Sequence, residues 1–370
     1  MNERRLAILH TESSLGWGGQ EIRILSEAEG LIGRGHRITL LAPQHSEIHA
    51  AALRRGVPVC ALDISAKRPM ALFRLRNWLN ANGRGFDVIN THSSTDAWLV
   101  ALASRLLAGM PPTVRTRHVS TPINRRAATR WLYQTATAHI VTTGEALRQQ
   151  LNRDNGFALE RMTSVRTGID LSYYKRREQR QVRLRLGLPD VPTLGIVATL
   201  RDWKGHRHLL EAFAALKPSY PDWRLVLIGD GPERGRLESQ ALDLRLGESI
   251  TFAGNREDVP DWLSALDVFA LPSYGAEGVP QGIMQAMACG LPVVATPVGA
   301  VAEAVQDGQT GLMTRPQDPQ ALAEALSTLM ADPALRARMG KAGEEYARRH
   351  FGIEVMVDAM LEVFHRVARR

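Results

Sequence analysis

Cysteine and long apolar runs are both scarce in this chain of 370 residues. Cys60 and Cys289 are its two cysteines and lie far apart, which excludes a disulfide-rich scaffold and predicts two small buried residues. No apolar run approaches the ~18 residues of a membrane span. The stretch Leu6 to Leu9 is too short for the apolar region of a signal peptide. These absences predict a cytoplasmic protein.

Several chemical signatures are also missing. The sequence has no Asp-x-Asp pair, no His/Cys/Asp cluster at metal-ligand spacing, no P-loop and no Gly-x-Ser-x-Gly nucleophile elbow. Aromatic residues make up 6% of the chain and do not form the aromatic-rich basic stripe of a nucleic-acid binder. We therefore expect no metal, no other cofactor and no nucleic-acid partner.

The charge is distributed unevenly along the chain. The net charge is +8, but residues 1–170 hold 22 basic and 13 acidic side chains, whereas residues 171–370 hold 24 and 25. The basic excess therefore belongs to the N-terminal half, where it favours an anionic partner. The length and the ordinary globular composition, 44% hydrophobic and 23% charged, indicate two domains with full cores.

Short apolar runs alternate with segments of helical period, which indicates parallel strands joined by crossover helices. Strands are expected at 6–9, 37–42, 57–62, 86–90, 113–117 and 139–142, and then at 193–199, 224–228, 249–252, 268–271 and 292–295. Helices are expected at 20–33, 96–108 and 144–151, and then at 206–217, 234–242, 259–265, 281–288 and 321–330. The charged stretch 173–185 interrupts the pattern and is interpreted as the interdomain link.

The predicted fold class is therefore α/β, with two Rossmann-like, doubly wound domains. Residues 1–170 form the first domain, to which segment 351–370 returns as a C-terminal helix, and residues 171–350 form the second. Such sheets bind ligands at the carboxyl ends of their strands, so we expect the two domains to face a cleft.

In the first domain, candidate binding residues follow three expected strands. Gly18, Gly19 and Glu21 lie where the first helix opens, and this segment suits either an anion at a helix N-terminus or a simple tight turn. His92 and His118 each follow a strand, which predicts that they share one sheet edge; a lone histidine is more often structural.

In the second domain, Arg201 and Lys204 follow the first strand and suit a diphosphate; a solvated turn is the alternative. The segment from Tyr274 to Gln285 combines a glycine-containing loop, the carboxylate of Glu277 and a helix opening at Pro280. This segment can hold a phosphate at the helix end while Glu277 meets a cationic or hydroxyl-rich group. A carboxylate that caps the helix is the alternative.

These motifs, taken in order, resemble the retaining, nucleotide-sugar-dependent glycosyltransferases of family 4, which have the GT-B fold. The resemblance covers nearly the whole chain. The matching segments are Gly18-Gly19-Gln20-Glu21, His118, Thr167-Gly168-Ile169-Asp170, Arg201 with Lys204-Gly205, Gly229-Asp230-Gly231-Pro232, Gly254-Asn255-Arg256, Glu277 and Pro297-Val298-Gly299 through Glu303.

The resemblance implies sugar transfer with retention at the anomeric carbon and without a metal. It implies that Glu277 and His118 contact the donor sugar as catalytic residues, and that fixed cations and a helix end stabilise the leaving diphosphate. The implied substrate-binding residues are Gly18, Gly19, Glu21, His92, Arg201, Lys204, Gly205, Arg256, Gly278, Val279, Pro280, Gln281 and Gln285. The resemblance implies a donor sugar linked to uridine diphosphate as the first choice and to guanosine diphosphate as the second.

Two positions depart from the family pattern. Gln285 stands where the Glu-x7-Glu motif has its second glutamate, which by resemblance binds the donor ribose, and we expect weaker but not abolished ribose binding. Thr167 replaces the usual asparagine, which is a milder departure.

The resemblance also implies a saccharide or lipid-linked acceptor in the synthesis of cell-surface glycans such as lipopolysaccharide, O-antigen or capsule. Segment 66–80 mixes basic and apolar residues as a helix on an anionic membrane does, and Arg125, Arg126 and Arg130 with Trp131, Leu132 and Tyr133 repeat this pattern. Peripheral binding at the inner face of the cytoplasmic membrane is therefore expected. A helix packed on its own domain is the alternative.

Three other functions remain open on the sequence. They are an epimerase or inverting transferase with the same fold, a sugar-nucleotide-binding protein without catalysis, and a nicotinamide-dependent oxidoreductase. The last is disfavoured because no Gly-x-Gly-x-x-Gly follows either first strand.

Overall fold

The computed structural model describes residues 4–119, 121–275 and 277–368. They form two compact units: unit 1 runs to Gly168 and includes the residues from Ile353 onward, and unit 2 is Ile169–Gly352. The domain boundaries predicted from the sequence lie two residues away from each of these points. Ser120, Ala276 and the last two residues of segment 351–370 lie outside the described residues.

Unit 1 is built on a seven-stranded, all-parallel sheet. Its elements are β1 (Ala7–Thr11), α1 (Gly19–Gly33), β2 (Arg37–Ala42), α2 (Glu47–Arg54), β3 (Val59–Ala61), α3 (Pro69–Asn82), β4 (Val88–Thr91), α4 (Ser94–Arg105), β5 (Thr113–Arg117), α5 (Ala127–Trp131), β6 (His139–Thr142), α6 (Glu145–Asn155) and β7 (Met162–Ser164). The strand order is β3-β2-β1-β4-β5-β6-β7, so the direction of winding reverses between β1 and β4. That reversal is where doubly wound sheets bind ligands.

Unit 2 repeats this design with six parallel strands. Its elements are α7 (Gln179–Arg185), β8 (Thr193–Val197), α8 (His206–Leu216), β9 (Arg224–Ile228), α9 (Arg234–Asp243), β10 (Ile250–Gly254), α10 (Val259–Ala265), β11 (Val268–Leu271), α11 (Gln281–Ala288), β12 (Val293–Ala295), β13 (Gly311–Met313), α12 (Pro319–Ala331) and α13 (Pro333–His350). The order β10-β9-β8-β11-β12-β13 reverses between β8 and β11. The two parallel sheets confirm the predicted α/β fold.

The final helix, α14 (Ile353–Ala368), belongs to unit 1. It buries Met356, Met360 and Phe364 in one apolar cluster with Ile24 of α1 and Ile8 of β1. Burying a side chain of this size contributes roughly 1.5–3 kcal/mol. The helix is therefore part of the unit 1 core, although it follows the whole of unit 2 in sequence.

The structure differs from the sequence expectation in the segment that is predicted to link the two domains. Segment 173–185 was expected to be a link, but it contains α7, which packs on unit 2. Arg183 donates to Asp267 at 2.7 Å, and Gln179 donates to the Leu266 carbonyl at 2.8 Å. The high charge of this segment serves pairing within unit 2, which charge density alone does not reveal.

None of the described helices is both long enough and apolar enough to cross a lipid bilayer.

Candidate active site

Two loops meet at the winding reversal of unit 2. After β8 the chain passes through Arg201 and a short 3-10 turn, Asp202–Lys204. Gly205 follows and is the residue directly before α8. After β11 it passes through Ser273 and Glu277 to α11. Because β8 and β11 are hydrogen-bonded neighbours, the two loops leave the sheet side by side.

An ion pair joins these loops. Lys204 Nζ donates to Glu277 Oε1 at 2.7 Å, and the Ser273 hydroxyl donates to the same oxygen at 2.8 Å. The side chains of Lys204 and Glu277 are 20% and 10% exposed. Hydrogen bonds between ionised groups are about twice as strong as neutral ones, so each residue fixes the position of the other.

Backbone contacts determine where Lys204 lies. Gly205 has a φ of +77°, and a Cβ on it would lie 2.0 Å from the Pro272 carbonyl oxygen. The Tyr274 amide donates to the Trp203 carbonyl at 2.8 Å. The two loops are therefore in backbone contact, which only a glycine at position 205 permits.

A third loop supports Glu277 from behind. Gly299 has a φ of +57°, and a Cβ there would lie 2.1 Å from the Glu277 carbonyl oxygen. The Ala300 amide donates to that same oxygen at 3.0 Å. This contact gives the segment from Pro297 to Glu303 a physical role: it holds the Glu277 backbone in place.

Helix α11 begins directly after Glu277, Gly278, Val279 and Pro280. Pro280 is the residue before the first helical position, rather than within the first turn as expected, and no side chain caps the helix among the described residues. Its first backbone amides and its partial positive charge are therefore suited to an anion. Gln281 lies in this first turn, and Gln285 is half-buried one turn further along.

The Arg201 and Arg256 side chains have partners other than this ion pair, although the Arg201 carbonyl accepts from the Lys204 amide at 3.0 Å. Arg201 is exposed, stacks over the Trp203 ring at 5.1 Å and lines a separate cavity of about 220 Å³ with Arg207 and Arg236. Arg256 forms a two-bond pair with Asp258, both at 2.9 Å. The structure thus pairs Lys204 with Glu277 in the segment that leads into α11, while the side chains of Arg201 and Arg256 contact Trp203 and Asp258.

Unit 1 holds a chain of three histidines. His10 Nδ1 lies 2.9 Å from His92 Nε2, and His92 Nδ1 lies 2.9 Å from His118 Nε2. These residues come from the carboxyl ends of β1, β4 and β5, which are adjacent in the sheet. Burial lowers the pKa of all three side chains, that of His10 to about 3, so the chain is uncharged at neutral pH.

A buried ion pair lies at the inner end of the histidine chain. Glu27 Oε1 is 4.0 Å from His10 Nε2, and Glu27 Oε2 is 3.8 Å from Arg23 Nε. Burial raises the pKa of the Glu27 carboxyl to about 7, although Arg23 opposes that rise. A carboxyl whose pKa is raised to about 7 therefore lies beside the end of the histidine chain formed by His10.

The predicted Gly-Gly-x-Glu loop lies close to this chain in unit 1. Gly18 is the residue before α1, and Glu21 is buried in the first turn. Gln20 donates to Glu12 Oε2 at 2.5 Å, and Ser93 donates to the other oxygen of Glu12. Burial first, and then the charge of Asp96, raise the pKa of Glu12 to about 7.

Sequence reasoning missed His10, Glu12 and Glu27. His10 lies inside β1 and Glu27 inside α1, so neither follows a strand as a visible loop motif. The signal in the sequence was a histidine at or just after the end of each of the strands β1, β4 and β5. This signal becomes useful only once the strand order shows that the three strands are neighbours.

Within the residues that the structure describes, no three His, Cys, Asp or Glu side chains form a group able to hold a metal ion. The absence of a metal therefore stays a prediction.

Two family models match the chain in succession. Residues 17–173 match "Glycosyltransferase Family 4", and residues 179–346 match "Glycosyl transferases group 1". The chain is 29% identical over 365 residues to phosphatidyl-myo-inositol mannosyltransferase of Mycobacterium leprae, covering 95% of this chain and 94% of that one. It is 32% identical over 295 residues to D-inositol 3-phosphate glycosyltransferase of Corynebacterium urealyticum, covering 73% and 69%.

The fold also matches solved structures. A glycosyltransferase from Rickettsia africae superposes with a TM-score of 0.89 at 18% identity, covering 99% of both chains.

Proposed function

The chain belongs to glycosyltransferase family 4 and is a sugar transferase of the GT-B fold, and from this premise we propose a more specific activity. It transfers a hexose or N-acetylhexosamine, with retention of configuration and without a metal, from a nucleotide diphosphate sugar to a saccharide or lipid-linked acceptor. The acceptor belongs to a cell-surface glycan such as lipopolysaccharide, O-antigen or capsule. Unit 2 binds the donor, and unit 1 binds the acceptor.

The Lys204–Glu277 pair beside the start of α11 carries this proposal. As the sugar–phosphate bond breaks, negative charge grows on the leaving diphosphate and positive charge grows on the sugar ring. The ammonium of Lys204 and the first amides of α11 are suited to the diphosphate, and the carboxylate of Glu277 is suited to the sugar hydroxyls and to the ring charge. Groups fixed in this way before the reaction stabilise the transition state by several kcal/mol.

His118 is proposed to hydrogen-bond the donor sugar near its reacting carbon. Its Nε2 is engaged by His92, and among the described residues no hydrogen bond reaches its Nδ1. Since burial keeps the ring neutral, His118 offers this nitrogen without adding a charge. Arg201, Arg256 and Gln285 remain proposed donor contacts, and a neutral Gln285 predicts a weaker hold on the ribose hydroxyls.

Unit 1 is proposed to bind an anionic membrane surface through α3. Its inner face is packed into the unit 1 core by Leu75 and Leu79, whereas Met70 and Phe73 stay 59% and 57% exposed. Arg74 is exposed on the same helix, Arg76 is half-buried there, and Arg68 is exposed at the residue before the helix. In the second basic segment Leu132 and Tyr133 are buried, so the membrane surface is assigned to α3 alone.

A thermal-shift screen against a panel of nucleotide sugars tests the proposal. A ligand present at about 100 times its dissociation constant adds about 2.7 kcal/mol of stability. We expect a uridine diphosphate sugar to give the largest shift and a guanosine diphosphate sugar the next largest. NMR of the transfer product should show the donor's anomeric configuration; an inverted product, or a panel with no stabilising member, would contradict the proposal.

A further inference from the structure

A positively charged cavity of about 410 Å³ lies in unit 1, and its lining contains none of the catalytic or donor-binding residues assigned above. Its walls come from the end of β5, the start of α4, segment 121–129 and Tyr133. Lys67, Arg115, Arg117 and Arg126 line it, and none of its lining residues is acidic. The volume is in the range of small-molecule sites.

Two of these cations are deeply buried without a counter-ion. Arg115 and Arg117 are 3% and 6% exposed, and no described carboxylate lies within ion-pair distance of either. Arg115 donates to the Ser93 carbonyl at 2.9 Å, and Arg117 donates to the Tyr133 hydroxyl at 3.3 Å. The Nε atoms of both arginines are buried and have no partner among the described residues. Buried charges are normally paired, so this arrangement lacks an anion.

The neighbouring groups report the same uncompensated charge. Burial alone would raise the pKa of the Tyr133 phenol, yet Arg115 and Arg117 together hold that pKa below its usual value. Burial, and then repulsion by Arg115, lower the pKa of Lys67. The charge of Arg115 therefore contributes to lowering the pKa of both Tyr133 and Lys67.

One buried carboxyl lies close enough to influence the arginines. Asp96 accepts from the Thr11 hydroxyl at 2.7 Å and from the His92 amide at 2.9 Å, and it does not line the cavity. Burial raises the pKa of Asp96 to about 6, against the influence of Arg115. A single carboxyl with such a pKa does not balance Arg115, Arg117 and Lys67.

We propose that this cavity binds a phosphate group carried by the acceptor, held by the guanidinium groups of Arg115 and Arg117 and by the Lys67 ammonium. Guanidinium forks match phosphate oxygens in two-bond geometry, and lysine adds a point charge. Arg115 lies near enough to His118 for its charge to add to the effect of burial in lowering the pKa of that side chain, so the cavity lies in the neighbourhood of the histidine assigned to the reaction. This inference rests on the proposed function, since it takes the anion to be part of the acceptor.

The half-buried ring of Trp98 forms an apolar wall of the same cavity, with Lys67 Nζ 5.9 Å from its centre. A phosphate at the arginines would therefore leave the attached polyol, sugar or glycerol against this ring. The recognised chemistry is a phosphate ester, whether on a soluble sugar or on a lipid headgroup.

The test measures binding of inorganic phosphate, glycerol 3-phosphate and glucose 1-phosphate to the full chain by calorimetry at constant ionic strength. It is performed in a Lys204→Met background, which weakens phosphate binding at the donor site. Lys67→Met and Arg117→Gln are each expected to weaken phosphate-ester binding about ten- to a hundred-fold, the scale of one charged hydrogen bond. Arg125→Met, a charge change outside the cavity lining, is expected to leave binding unchanged.

A parallel arm measures co-sedimentation with vesicles that contain phosphatidylinositol or phosphatidylglycerol. If vesicle binding requires Lys67 and Arg117, the ligand is a lipid headgroup. If only the binding of soluble esters requires these two residues, the ligand is a free phosphorylated sugar. Both results support the site. Equal affinities of wild type and both variants for every probe would overturn it. Because Lys67 is exposed, Lys67→Met keeps the test available if Arg117→Gln fails to fold.

Donor binding separates this inference from the proposed function. In the Lys204-containing protein, a nucleotide sugar should stabilise Lys67→Met and wild type equally. If donors bind but phosphate esters do not, the cavity assignment fails alone; if no donor binds, the proposed function fails.

Discussion

A double-mutant cycle on Lys204 and Glu277 tests whether the two residues act as one unit. Lys204→Met removes the ammonium with little change in shape, and Glu277→Gln removes the charge while keeping an acceptor for Ser273. Each change alone should lower the rate of nucleotide release at least about 100-fold, or about 2.7 kcal/mol, the usual scale for a preorganised charged group.

The structure sets the size of the coupling. A hydrogen bond of 2.7 Å between two ionised, largely buried side chains is worth about 1.5–3 kcal/mol. Independent effects would multiply to about 10⁴-fold in the double variant. Coupling of this size instead predicts a loss of about 10² to 10³-fold, since the second substitution removes a group that has already lost its partner.

The assay is the initial rate of nucleotide release from the donor identified by thermal shift, with kcat and KM separated. The Glu344→Gln variant provides a matched control, because Glu344 pairs with Arg348 at 2.8 Å on an exposed face of α13. Additivity within about 0.5 kcal/mol would show that the pair does not act as a unit. A rate like that of wild type in either single variant would refute the site assignment.

Three further predictions follow from separate features. The free energy of unfolding of Glu27→Gln should rise relative to that of wild type by up to about 3 kcal/mol as the pH rises from 4.5 to 7. The reason is that the raised pKa of Glu27 makes ionisation of this carboxyl increasingly unfavourable in the folded wild type over that pH range. Denaturant unfolding at each pH measures the difference. Gly299→Ala should destabilise unit 2 by more than 1–2 kcal/mol, roughly the cost of its left-handed conformation, and should slow nucleotide release through Glu277. Replacing Met70 and Phe73 together by serine should reduce co-sedimentation with anionic vesicles, and added salt should reduce it in wild type.

Each of these predictions has a matched control. Glu29→Gln changes an exposed glutamate of α1 and should show no such pH-dependent gain. Gly308 has a φ of +72°, but no atom lies within 4 Å of the position that a Cβ would take. Gly308→Ala should therefore introduce the same conformational strain without slowing nucleotide release. Leu242→Ser removes an exposed apolar side chain of unit 2 and should not change vesicle binding. Equal sedimentation with neutral and anionic lipid would contradict the membrane assignment.

The sequence predicted the elements that combine a regular period with clear end signals. The strands at 37–42, 113–117 and 139–142 and the helices at 259–265 and 281–288 have the expected bounds. The three-residue strands β7 and β13 were missed, whereas β3 and β12, which are equally short, were predicted because they lie within the longer apolar runs 57–62 and 292–295. The C-terminal helix expected at 351–370 corresponds to α14, which begins two residues later than expected, after α13 ends at His350.

The candidate site was predictable only in part. Lys204 and Glu277 could be found because charged residues and glycines follow buried strands, where ligands bind. Their direct contact could not be found, because it depends on the positive φ of Gly205 and on the adjacency of β8 and β11. The stacking of the Arg201 guanidinium over the Trp203 ring could not be predicted either, because it depends on the course of the turn.

The placement of α14 has a consequence for how the chain is synthesised. The core of unit 1 needs Met356, Met360 and Phe364, but the ribosome makes these residues only after all of unit 2. Domains made first usually fold first. Here the continuous unit 2 can complete its core while unit 1 still exposes the apolar groove that receives α14. The apolar surface of unit 1 that α14 covers therefore stays uncovered until α14 has been synthesised.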